Sequence, residues 1–79
     1  MIKLNIFNMD EFLKVVNECI GPVNMLSANG KKININKNET AKLDLERKHA
    51  VNGNSLLLCL DIPEAKDYLN IVFFSIGDC

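Results

Sequence analysis

Apolar and polar positions change period along this chain, and the changes mark its elements. Ile2, Leu4 and Ile6 alternate with Lys3 and Asn5, the period-two pattern of a strand with one face buried. The pattern breaks at Asn8-Met9-Asp10-Glu11, where Asn8 can cap a helix and Glu11 can reach back to the cap. Phe12, Val15, Val16, Cys19 and Ile20 then recur at i, i+3, i+4, i+7 and i+8, the apolar stripe of a helix that Gly21-Pro22 should end through a left-handed Gly cap.

Val23 to Asn36 predicts a hairpin around Asn29-Gly30. A two-residue turn would put Val23 and Met25 on the opposite face from Ile33 and Ile35. A loop of Ala28-Asn29-Gly30, with Gly30 at positive φ, puts all four on one face. Burial favours the second register, because a slip of one residue exposes the whole apolar set.

Residues 38–49 are ambiguous. Leu43 and Leu45 alternate like a strand, whereas Ala41, Lys42, Leu45, Glu46 and Arg47 favour helix. A short helix followed by a turn at Asn52-Gly53-Asn54 is the expectation. Ser55 to Ile62 predicts a strand with Leu56, Leu58, Leu60 and Ile62 on one face and Leu57 and Cys59 on the other. Pro63 suits the first turn of a last helix, and Glu64 and Asp67 complement its dipole. Ala65, Tyr68, Leu69, Val72, Phe73 and Ile76 supply its expected stripe. The run Ile71-Val72-Phe73-Phe74 also suits a strand, but Pro63 and the helical spacing decide for helix. The predicted order is βαββαβα, an α+β chain.

Composition narrows the functions. At 79 residues, residues 1–79 form a single domain, and a net charge of −1 with no basic stripe argues against nucleic acid. The stretch MIKLNIF is not a signal peptide, and the longest apolar run, Leu56 to Leu60, is too short for a membrane span. Cys19, Cys59 and Cys79 do not read as a disulfide framework, so a cytoplasmic protein is expected. Without a Cys-x-x-Cys or a second His there is no metal-site signature, and nothing in the sequence asks for a cofactor.

With the element order in hand, the chain resembles the histidine-containing phosphocarrier (HPr) family of the bacterial sugar phosphotransferase system. The resemblance spans essentially the whole chain. It rests on that order, on Pro22-Val23-Asn24-Met25 leading to Ala28-Asn29-Gly30-Lys31-Lys32-Ile33-Asn34, on Lys42-Leu43-Asp44-Leu45, and on Leu58-Cys59-Leu60-Asp61 before an acidic helix start. It implies an open-faced β-sandwich: a four-stranded antiparallel sheet with all helices on one face. The family carries its phosphoacceptor in a His-x-Arg-Pro loop between the first strand and first helix. Phe7, Asn8, Met9 and Asp10 stand there and include no His, Arg or Pro. The family's regulatory Ser is also missing near Asn36 to Asn38, with Thr40 the nearest hydroxyl.

The expectation is therefore an HPr-like protein-binding or regulatory module with no catalytic residue. Its partners would be proteins, phosphotransferase components among them. Met9, Leu43 and Leu45 would form the apolar contact surface. Leu26, Leu57, Cys59 and Phe7 interrupt the polar pattern of the open sheet face and suggest a homodimer there. The alternative is a working phosphocarrier that uses His49, the only imidazole. Its Arg47-Lys48-His49 setting otherwise reads as a solvated polar segment away from the first loop. A Cys19–His49 nucleophile–base pair is disfavoured, since Cys19 belongs to the apolar stripe of the first helix.

Overall fold

The computed structural model describes residues 2–27 and 29–77. The strands are β1 (Ile2–Ile6), β2 (Asn24–Leu26), β3 (Lys32–Asn34) and β4 (Leu56–Asp61). The helices are α1 (Met9–Glu18), α2 (Glu39–Val51) and α3 (Ala65–Gly77). The order is βαββαβα, as the periodicity predicts. All strand neighbours are antiparallel in a four-stranded sheet ordered β1-β4-β2-β3.

Alternation decides which sheet face is buried. Leu4 and Ile6 of β1, Met25 of β2, and Leu58 and Leu60 of β4 turn inward. They share one core with Met9, Phe12, Leu13 and Val16 of α1, Leu45 of α2 and Ile71 of α3. Phe12 is fully buried, its ring centroid 5.8 Å from that of Phe74. Burying a side chain of this kind contributes about 1.5–3 kcal/mol. On the other face Lys3 stands across from Cys59, and Asn5 across from Leu57. The Lys32 Nζ to Asp61 Oδ2 pair at 2.7 Å lies there too. Exposed Leu57 and half-buried Cys59 are two residues apart on β4 and share this face, and Leu57 and Leu26 line one shallow depression, with Lys3, Asn5 and the Lys32–Asp61 pair around them.

The hairpin takes the register that burial favours. Met25 pairs with Ile33, and Ser27 N donates to Lys31 O, which leaves a three-residue loop with Gly30 at φ +82°. Ala28, in that loop, lies outside the described residues.

Three local expectations need correction. The first helix ends at Cys19, whose backbone turns extended (φ −69°, ψ 141°), and Gly21 is not left-handed. Ile20 consequently leaves the stripe and faces solvent, while Leu13 is buried in its place. The exit is held from both sides: Asp67 accepts from Ile20 N and Gly21 N, and Asn36 Nδ2 donates to Cys19 O and Gly21 O.

The middle helix is not short. Asn38 Oδ1 accepts from Ala41 N and caps a 13-residue α2. Its inner face is Lys42, Leu45 and His49, with Lys42 Nζ bonded to Asn17 Oδ1 of α1.

The last helix is turned the other way round. Asp67, Ile71 and Phe74 face inward, whereas Tyr68, Leu69, Phe73 and Ile76 face solvent. Pro63 stands just before the helix, since Tyr68 N donates to Glu64 O and makes Glu64 the cap.

Candidate functional site

Two concave regions bring together the residues that the sequence marks. The first is the junction of β1 and α1. Asn8 Oδ1 accepts from Glu11 N at 3.2 Å and caps α1, placing Asp10 and Glu11 in the first turn. Glu11 Oε1 lies 3.3 Å from Lys14 Nζ. A cavity of about 580 Å³ opens here, lined by Phe7, Asn8, Met9, Asp10, His49, Asn54 and Gly77.

His49 is the correction at this junction. It is not a solvated residue distant from the loop: it is buried, and its Nε2 lies 2.7 Å from Phe7 O. The cause is the length of α2, which continues to Val51 and carries His49 inward on the same face as Lys42 and Leu45. A carbonyl oxygen only accepts, so Nε2 is the donor in this contact. The neighbouring cations diverge from it. Lys48 Nζ pairs with Asp44 Oδ2 at 3.0 Å, and Arg47 lines a different groove. An anion entering this cavity meets Asp10, in the first turn of α1, rather than a guanidinium.

Cys19 and His49 do not meet. Cys19 follows the C-terminal end of α1, whereas His49 is bonded beside its N-terminal end. The Cys19 thiol donates to Val15 O at 3.3 Å; burial first, and then the carboxylate of Asp67, push it up to about 11. Such a thiol is a small core group and not a nucleophile. Cys79 lies outside the described residues. Among those residues no three His, Cys, Asp or Glu side chains converge on a metal position, and no helix is long and apolar enough to cross a membrane.

The second region is a groove of about 470 Å³ between β3 and α2. Thr40, Leu43, Asp44 and Arg47 recur at i, i+3, i+4 and i+7, so they form one face of α2. Met25 and Ile33 lie across from them, with Asn38 and Ala41 completing the lining. Ile33 points to the helix side of the sheet but is left partly uncovered. Among the described residues Arg47 makes no ion pair.

The expected contact trio therefore separates: Met9 is 4% exposed and Leu45 1%, both in the core, whereas Leu43 is 60% exposed on the groove. The residues that sequence reasoning missed here are Ile33 and Arg47. Ile33 carried the same inward signal as Met25, and only the reach of α2 distinguishes them.

No family model, curated protein or solved structure matches the chain. Its functional reading accordingly rests on these two regions and on the fold that positions them.

Proposed function

We propose that the chain is an HPr-like, non-catalytic protein-binding or regulatory module related to the bacterial phosphotransferase system, acting in the cytoplasm. The groove between β3 and α2 carries this reading: an apolar floor of Met25, Ile33 and Leu43 stands beside Arg47, which makes no ion pair among the described residues. Uncovered apolar surface flanked by an available guanidinium suits recognition of a protein partner. The βαββαβα order and antiparallel sheet accord with the layout that the resemblance implies.

Non-catalytic status is supported at the β1–α1 junction. Asp10 and Glu11 occupy the turn where the family receives a phosphoryl group, and the imidazole is held by a backbone carbonyl. The test is a pull-down from bacterial cytoplasm with the wild-type chain and an L43E/R47E variant. Partner capture by the wild type and its loss in the variant support the reading. Equal capture by both overturns the groove as the contact surface.

A second reading has one observation in its favour. The fold brings His49 beside the N-terminal end of α1, where Nε2 donates to Phe7 O. Incubation with phosphoenolpyruvate and the first enzyme of the system separates the two readings. Acid-labile phosphate that disappears in His49→Gln establishes a carrier; no incorporation supports the binding module.

A further inference from the structure

We propose that the outward face of α3 is a homodimer interface, in which two copies of the helix pack antiparallel across a two-fold axis near Phe73. The inner face of α3 is already used: Asp67, Ile71 and Phe74 turn toward the rest of the chain. The opposite face is also apolar, with Leu69 50%, Phe73 66%, Ile76 69% and Tyr68 37% exposed, and half-buried Val72 between them. Leu69, Val72, Phe73 and Ile76 follow i, i+3, i+4 and i+7, so they make one continuous stripe. An apolar helix face of this extent belongs in an interior, even with exposed Asn70 beside it. A single copy of this chain supplies only half of one.

The chemistry of the stripe selects a second copy as its occupant. From Tyr68 to Gly77 there is no charged residue, so two identical faces meet without like-charge contact. The net charge of −1 adds little long-range repulsion between copies. The stripe also complements itself. In an antiparallel pair centred near Phe73, Leu69 of one helix stands opposite Ile76 of the other, and the two Phe73 rings meet at the axis. Leu69, Phe73 and Ile76 are each at least half exposed, so pairing the stripes covers three large apolar side chains per copy in an interface smaller than the roughly 800 Å² per partner of a standard one. The open sheet face carries a smaller apolar group, exposed Leu57 beside half-buried Cys59 and Leu26, bordered by Lys3, Asn5 and the Lys32–Asp61 pair. This interface is independent of the groove between β3 and α2.

Size-exclusion chromatography with light scattering on the full chain tests the proposal at concentrations on the order of 100 µM, where an interface of modest size is populated. The wild type is expected to scatter as a dimer. F73E and L69K, both at solvent-facing positions, should each raise the dimer Kd at least about 30-fold while leaving far-UV circular dichroism unchanged. L57E, on the open sheet face, should leave the dimer intact. Mixing F73E with F73K should restore association, because the axis brings the two substituted positions together. A wild type that stays monomeric overturns the proposal, as does a dimer that resists F73E and L69K or one that L57E dissolves. A mixture of F73E and F73K that remains monomeric overturns the two-fold placement.

Discussion

Asp67 holds the exit of α1 from the first turn of α3: its Oδ2 accepts from Gly21 N at 2.8 Å and its Oδ1 from Ile20 N at 3.1 Å. Two donors that the end of a helix would otherwise leave to solvent are thus tied to a side chain far along the sequence. D67A should cost about 2–4 kcal/mol in urea unfolding, since hydrogen bonds to a charged group contribute roughly 1.5–3 kcal/mol each before relaxation. D67N, which keeps one acceptor oxygen, should cost less.

Gly21 fits beneath that carboxylate because it has no side chain. An added Cβ would lie 3.3 Å from both Asp67 Oδ2 and Glu64 Cβ, tighter than ordinary packing. G21A should therefore destabilise by about 1 kcal/mol, the lower end of overpacking effects, in the same urea series.

The Cys19 thiol provides a pH signature. Burial and Asp67 favour its protonated form in the folded chain up to about 11, whereas the unfolded thiol titrates near 8.5. The folded state therefore binds the extra proton between these values, and stability should fall as pH rises from about 8.5 to about 11. In a C79S background at pH 8, iodoacetamide should modify half-buried Cys59 and leave Cys19 unreacted until denaturant is added. Rapid native labelling of Cys19 would contradict this.

The Lys32–Asp61 pair should behave oppositely and weakly. The hydrogen bond and charge of Lys32 hold the Asp61 carboxyl below its ordinary value. Its contribution is present at neutral pH and is lost as pH falls through that depressed value. Because the pair lies at the surface with Lys32 exposed and Asp61 only half-buried, D61N should barely move the midpoint of thermal unfolding at pH 7. The small difference from wild type should vanish in strong acid.

Leu43 and Leu45 are two residues apart on α2, yet they should respond in opposite ways. L45A removes a fully buried side chain and should cost about 2–5 kcal/mol. L43A, on the groove, should stay within about 0.5 kcal/mol. The pair separates the core role from the binding role in one denaturation experiment.

Much of the fold was legible because the sheet depends on period-two patterns that are locally complete. Ile2, Leu4 and Ile6, the Leu56–Ile62 series and the Gly30 register needed no distant information. The helices were harder for identifiable reasons. The inner face of α2 is Lys42, Leu45 and His49, two polar residues satisfied by Asn17 and Phe7 O, so hydropathy shows no stripe and hides both the length of the helix and the burial of its histidine. On α3 both faces are apolar, and the inward one is chosen by Asp67, whose partners lie at Ile20 and Gly21. Met9 and Leu45 were misjudged as surface for the same reason: their neighbours in space are not their neighbours in sequence.

The longest ladder in the sheet joins β1 to β4, from Ile2 with Leu60 to Ile6 with Leu56, while β4 meets β2 through only two residue pairs. During synthesis β1 emerges well before its partner, with residues 7–55 still to follow. Its alternating edge must wait unpaired through that interval, when contacts of such separation are the slowest to form. Lys3 and Asn5, set between the apolar residues of β1, keep the waiting strand soluble.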